Sequence, residues 1–111
     1  MSKVFIVDDN GIIVEELIAY ASYRSDKGIT VKLTGFKANS SQMLKLYITT
    51  DTTAKWQGPV KVDAKGAAEV TLCEFSTTAP VEGGKKFDFT DATTYYFMVG
   101  DVFSGEFTAA K

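Results

Sequence analysis

Asp8 and Asp9 follow directly on the apolar run Val4-Phe5-Ile6-Val7. Adjacent carboxylates in such a place can hold a hard divalent cation through oxygen. One pair falls short of the six or more oxygens that Ca²⁺ takes, so the pair reads first as a polar turn. Asp88, Asp91 and Asp101 form a looser carboxylate set near a sheet edge, and Glu15-Glu16 reads as a solvated face. Cys73 is the single thiol, so no internal disulfide can form. It sits in the strand-like run EVTLCEF and reads as a small, partly buried hydrophobe. The chain contains no His. That removes imidazole bases, Ser-His-Asp and Cys-His pairs and most zinc sites. No catalytic set, metal site or cofactor is expected, and the chain is read as not an enzyme.

The remaining candidates are aromatic. Trp56 lies in the polar stretch DTTAKWQG, where an exposed ring can stack on a sugar or anchor a protein contact. The alternative is a ring that caps one end of a core. Tyr20 and Tyr23, in AYASYR, can line a partner surface.

The elements that must position these residues are strands. Ile29, Val31 and Leu33 share one face of GITVKLTGF, and Leu44, Leu46 and Ile48 one face of LKLYI. Val60 and Val62 alternate, as do Ala68, Val70 and Leu72, and Tyr95, Phe97 and Val99. A half-buried sheet needs this period of two. Asn10-Gly11 between apolar runs predicts a hairpin, as does Asp63 to Gly66 between two alternating runs. Pro59 belongs at a strand start or on an edge. GDVFSGEF turns the last two strands, with Phe103 and Phe107 expected in the core. Residues 11–24 fit either strands or a short helix, the β reading being preferred.

Seven to eight short strands predict an all-β fold, a single antiparallel β-sandwich over residues 1–111, with residues 1–24 as an N-terminal hairpin or arm. The 111 residues suffice for one core. Twelve basic and 14 acidic residues are intermixed, with Arg24 the one Arg, which does not fit the concentrated basic face of a nucleic-acid binder. No apolar run approaches membrane-spanning length and no signal-peptide pattern opens the chain, so the expected location is the cytoplasm of the producing cell.

DATTYYF (residues 91–97) resembles the sixth strand of immunoglobulin variable domains, with Phe97 where those domains keep a cysteine. The resemblance implies that Tyr95 is a tyrosine-corner residue, its hydroxyl bonded back to the backbone at the start of the strand. ITVKLTGFKANSSQMLKLYI, PVKVDAKGAAEVTL and TYYFMVG together look like bacterial Ig-like modules. Trp56 and the lack of a cysteine in the second strand depart from antibody domains, so immune recognition loops are not inferred. The fold expectation is thus Ig-like, with a jelly-roll as the alternative.

KVFIVDDN also resembles the first strand and acidic turn of response-regulator receiver domains. That would make Asp51 the phosphoryl acceptor and Ser76 or Thr77 its partner. A receiver carries a Lys after its fifth strand, and YYFMVGDVF offers none. Its parallel strands also need helices between them, where this chain has Gly-Pro and turn signals.

An Ig-like sandwich without a leader, disulfides or catalytic set resembles small virion proteins of tailed bacteriophages, such as capsid decoration or tail accessory proteins. The expected role is non-enzymatic docking onto a capsid or tail lattice, or self-association. A carbohydrate- or surface-binding module using Trp56 is the alternative, and a receiver-like signalling domain a remote one.

Overall fold

The computed structural model describes residues 1–7, 13–14, 18–20, 29–73, 85–87, 89–90 and 92–109. Among them every regular element is a strand. These are β1 (Lys3–Val7), β2 (Ile13–Val14), β3 (Ile18–Tyr20), β4 (Ile29–Thr34), β5 (Ser41–Ile48) and β6 (Trp56–Lys61). There follow β7 (Ala68–Cys73), β8 (Lys85–Lys86), β9 (Thr94–Val99), β10 (Val102–Phe103) and β11 (Phe107–Ala109). The described parts of residues 11–24 are strands, as the β reading expects. Asn10-Gly11 lies outside the described residues, but β1 does fold back on β2, with Ile6 opposite Val14.

Two sheets form. The first has the order β2-β1-β4-β7-β8, and the second β3-β11-β9-β5-β6, with β10 also on β9. Pairing is antiparallel except for β3 on β11 and β8 on β7, which are parallel. β1 therefore lies between two strands of its own sheet. Lys85 and Lys86 of β8 pair with Leu72 and Cys73 of β7.

Alternation places the core. Val4 and Ile6 of β1, Ile29, Val31 and Leu33 of β4, and Val70 and Leu72 of β7 turn inward from the first sheet. Leu44 and Leu46 of β5, Val60 of β6, and Tyr95, Phe97 and Val99 of β9 meet them from the second. Each such side chain contributes about 1.5–3 kcal/mol relative to exposure. Both sheets feed one continuous cluster, a β-sandwich in which each sheet keeps one face outward.

Asp63 to Gly66 does form a tight turn. Gly66 has φ of 82°, and Asp63 Oδ1 accepts the N–H groups of Lys65 (2.8 Å) and Ala67 (3.0 Å). The predicted hairpin is nevertheless absent, because β6 and β7 join different sheets. The turn carries the chain from one layer to the other, and the Gly66 carbonyl accepts Phe36 N–H at 3.1 Å. The Ala67 N–H, then the Lys65 N–H, hold the Asp63 carboxyl below the usual aspartate range.

Phe103 corrects a second expectation. Phe107 is fully buried, but Phe103 is 59% exposed. Val102 opposes Val99 and Phe103 opposes Met98, while Phe107 opposes Tyr95. An uninterrupted ladder would set Phe107 opposite Thr94 and outward. One extra residue between Phe103 and Phe107 reverses its facing, as a β-bulge does. Ser104 is the residue at the slip. Its N–H donates to the Phe97 carbonyl (2.9 Å), and its Oγ accepts the Phe97 N–H (2.8 Å) while donating to the Gly105 carbonyl (2.9 Å).

Ser104 is 8% exposed, so removing Oγ strands a buried N–H. Ser104→Ala should lower the unfolding free energy by about 1–3 kcal/mol in a urea titration. The Asp63 turn should act through pH. Its folded-state pKa is depressed, so the stabilisation is complete above the unfolded value of about 3.9 and fades as pH falls through the folded value. The stability difference between the wild type and Asp63→Ala should therefore shrink below about pH 4, read from thermal melts across pH.

Candidate functional site

Inward alternation fixes what stands outward. On β5 these are Met43, Lys45 and Tyr47, because Leu44 and Leu46 face the core. On β9 they are Thr94, Tyr96 and Met98. On β6 they are Gln57, Pro59 and Lys61. The cross-strand register puts Met43 opposite Pro59, Lys45 between Gln57 and Met98, and Tyr47 opposite Tyr96. Phe103 lies beside Met98 and shares its outward facing.

The result is an apolar face on the second sheet. Among the described residues the exposed large hydrophobics are Met1, Met43 (43%) and Phe103 (59%), and the last two share this face. Tyr47 and Tyr96 stack at 5.4 Å with 15° between planes, and Tyr96 meets Phe103 at 5.9 Å. A shallow cleft of ≈ 370 Å³ opens beside them, lined by Thr49, Tyr96, Phe103, Ser104 and Glu106. Scattered exposed hydrophobics are ordinary, whereas a contiguous group on one face is the kind of surface that can serve as a contact. This patch was missed in the sequence, although its signal is there: the outward positions of β5 and β9 carry Met and Tyr where a solvated face carries charge.

The outer face of the first sheet differs. Thr30 and Thr71 join their hydroxyls at 2.8 Å, and Lys32 lies between Phe5 and Glu69 in register. An open hollow of ≈ 480 Å³ there is walled by Phe5, Lys32, Asp63 and Glu69 among others.

Trp56 is not on the apolar face. It pairs with Leu46 and so turns toward the core, where it packs half-buried against the buried cluster. Its ring lies over Gly58, where an added Cβ would come within 2.9 Å of Cζ2. The indole caps the end of the sandwich, and Gly58 provides the space for it.

Tyr20 belongs to β3, its backbone opposite Ala109, and Tyr23 lies outside the described residues. Tyr95 is 2% exposed, and its hydroxyl accepts the Thr90 N–H at 2.9 Å, five residues upstream. Its ring meets Phe89 at 5.2 Å and Phe107 at 5.8 Å.

Among the described carboxylates, Asp51 and Asp63 each serve a turn. Asp8, Asp9, Asp88 and Asp91 lie outside the described residues. Asp51 pairs with Lys55 (2.6 Å) and accepts the Thr53 N–H (3.1 Å) in the β5–β6 connection. The Lys55 ammonium is the main cause that holds its carboxyl below the usual range. These contacts build a turn, and β1 is antiparallel to its neighbour β4, unlike the parallel sheet of a receiver. Among the described residues no three Cys, Asp or Glu side chains are grouped as metal ligands, and no helix is long and apolar enough to cross a membrane.

No family model, curated protein or solved structure matches this chain. Trp56→Ala should lower stability by about 2–4 kcal/mol in urea, somewhat below the ~3–5 of fully buried aromatic truncations. An unchanged urea midpoint would instead make Trp56 a surface contact.

Proposed function

We propose that this chain is a non-enzymatic structural protein that docks onto a larger protein assembly, the capsid or tail of a tailed phage, through the outer face of its second sheet. The observation that carries this reading is the pairing of exposed Met43 and Phe103 with Tyr47, Tyr96 and Met98 on one face. Aromatic and Met side chains are the types that concentrate at protein interfaces, and folding alone gains little from exposing them.

An Ig-like rather than jelly-roll connection is supported by strand order. If β4, β5, β7, β9 and β11 are the second, third, fifth, sixth and seventh strands of such a fold, they divide between the sheets as that fold requires. The additional β6 beside β5 matches the variable-type extension.

Edge pairing with a neighbour is less well supported. β6, the edge of the second sheet opposite to β3, carries Pro59 and exposed Lys61, two devices that discourage strand addition at that edge. Sugar stacking is also less well supported. Trp56 turns toward the core, and the faces of Tyr47 and Tyr96 are turned to each other.

The test is sedimentation with native particles. Tagged protein produced in the source cell should band with phage particles, and a Met43→Ser/Phe103→Ser variant should lose at least about tenfold in association while keeping its β-type circular dichroism. Absence from particles, or glycan binding abolished by Trp56→Ala, would overturn the proposal.

A further inference from the structure

The apolar face has one cation near its centre. Lys45 is half-buried, between Met43 and Tyr47 along β5 and between Gln57 and Met98 across the ladder. Its ammonium has no ion pair or side-chain hydrogen bond with any described residue, whereas that of Lys55, in the β5–β6 connection, is paired with Asp51. Its stem can lie over the neighbouring apolar atoms while the ammonium stays in water. That arrangement works only while the face is open. A partner that covers Met43, Met98 and Phe103 also removes water from the ammonium, which is strongly unfavourable unless an anion replaces it.

We infer that the occupant of this face is an acidic-apolar protein surface: a partner segment that sets an Asp or Glu carboxylate against Lys45 and apolar side chains against Met43, Met98 and Phe103. This rests on the docking reading above and adds the partner's chemistry. A nucleic-acid backbone does not fit, because it needs several cations and gains little from an apolar surround. A second copy laid face to face about β5 would oppose Lys45 with Lys45, which disfavours it.

The experiment pans a random peptide display library on the immobilised full chain, in parallel with Lys45→Glu and Phe103→Ser. Peptides enriched on the wild type should combine Asp or Glu with aromatic or aliphatic residues. As synthetic peptides they should bind Lys45→Glu and Phe103→Ser at least about tenfold more weakly. Panning on Lys45→Glu should enrich Lys or Arg at the acidic position. Circular dichroism of both variants controls for folding. Peptides lost on Phe103→Ser but without acidic preference, and indifferent to Lys45→Glu, would overturn the charge inference and leave the docking face standing. Peptides indifferent to both substitutions would remove the docking face as well. A dimer in light scattering that Phe103→Ser dissolves would make a second copy the occupant and overturn the inference.

Discussion

The slip in the ladder at Ser104 decides both what the core contains and what the surface shows. Phe103 and Phe107 are four residues apart, so on a regular strand they would share a face. The extra residue sends Phe107 inward, where it stacks near Phe97 (5.8 Å) and Tyr95, and leaves Phe103 outward beside Tyr96. The device works because Ser104 supplies an oxygen where the ladder lacks a carbonyl: its Oγ accepts the Phe97 N–H. A buried N–H left open costs about as much as several favourable contacts return, so the side-chain oxygen makes the slip tolerable.

The aromatic group behind Phe107 depends on the same placement. Phe87, Phe89, Tyr95 and Phe107 meet mostly edge to face, with Phe87 and Phe89 at 4.7 Å and 72°. Such pairs add about 0.5–1.5 kcal/mol each beyond the area they bury. Tyr95 brings a polar atom into this group, and the Thr90 N–H satisfies it. Ala92 turns the chain there with φ of 60°, held by its N–H on the Ala109 carbonyl (2.8 Å). The end of β11 and the start of β9 are thereby tied to one corner.

The strands themselves were legible because each sheet buries one face. Ile29, Val31 and Leu33, or Leu44 and Leu46, have no other way to leave water together. Sheet membership was not legible. The Asp63–Gly66 turn has the residues of a hairpin, and the same local chemistry serves a crossing between layers. The slip at Ser104 was hidden because it depends on a side-chain oxygen meeting an N–H seven residues away, and nothing in SGEF distinguishes that Ser from a solvated one. Trp56 left two readings open because its neighbours in sequence are polar. The informative neighbour was Gly58, two residues on and therefore on the same face, whose missing side chain is where the indole lies.

The two outer faces then differ in a way that folding does not require. Both sheets have the same backbone and contribute to one core, so either outer face can be polar at no cost to that core. The first sheet largely takes that course, with the Thr30–Thr71 hydroxyl pair and intermixed charges around Phe5. The second keeps Thr94 and Thr108 joined at 2.9 Å toward one end, and beyond them sets Tyr96, Tyr47, Met98, Phe103 and Met43 around Lys45. Replacing these outward side chains with polar ones would leave every buried contact in place. An apolar outer face of this kind is what the proposed docking role accounts for, since folding of the core does not call for it.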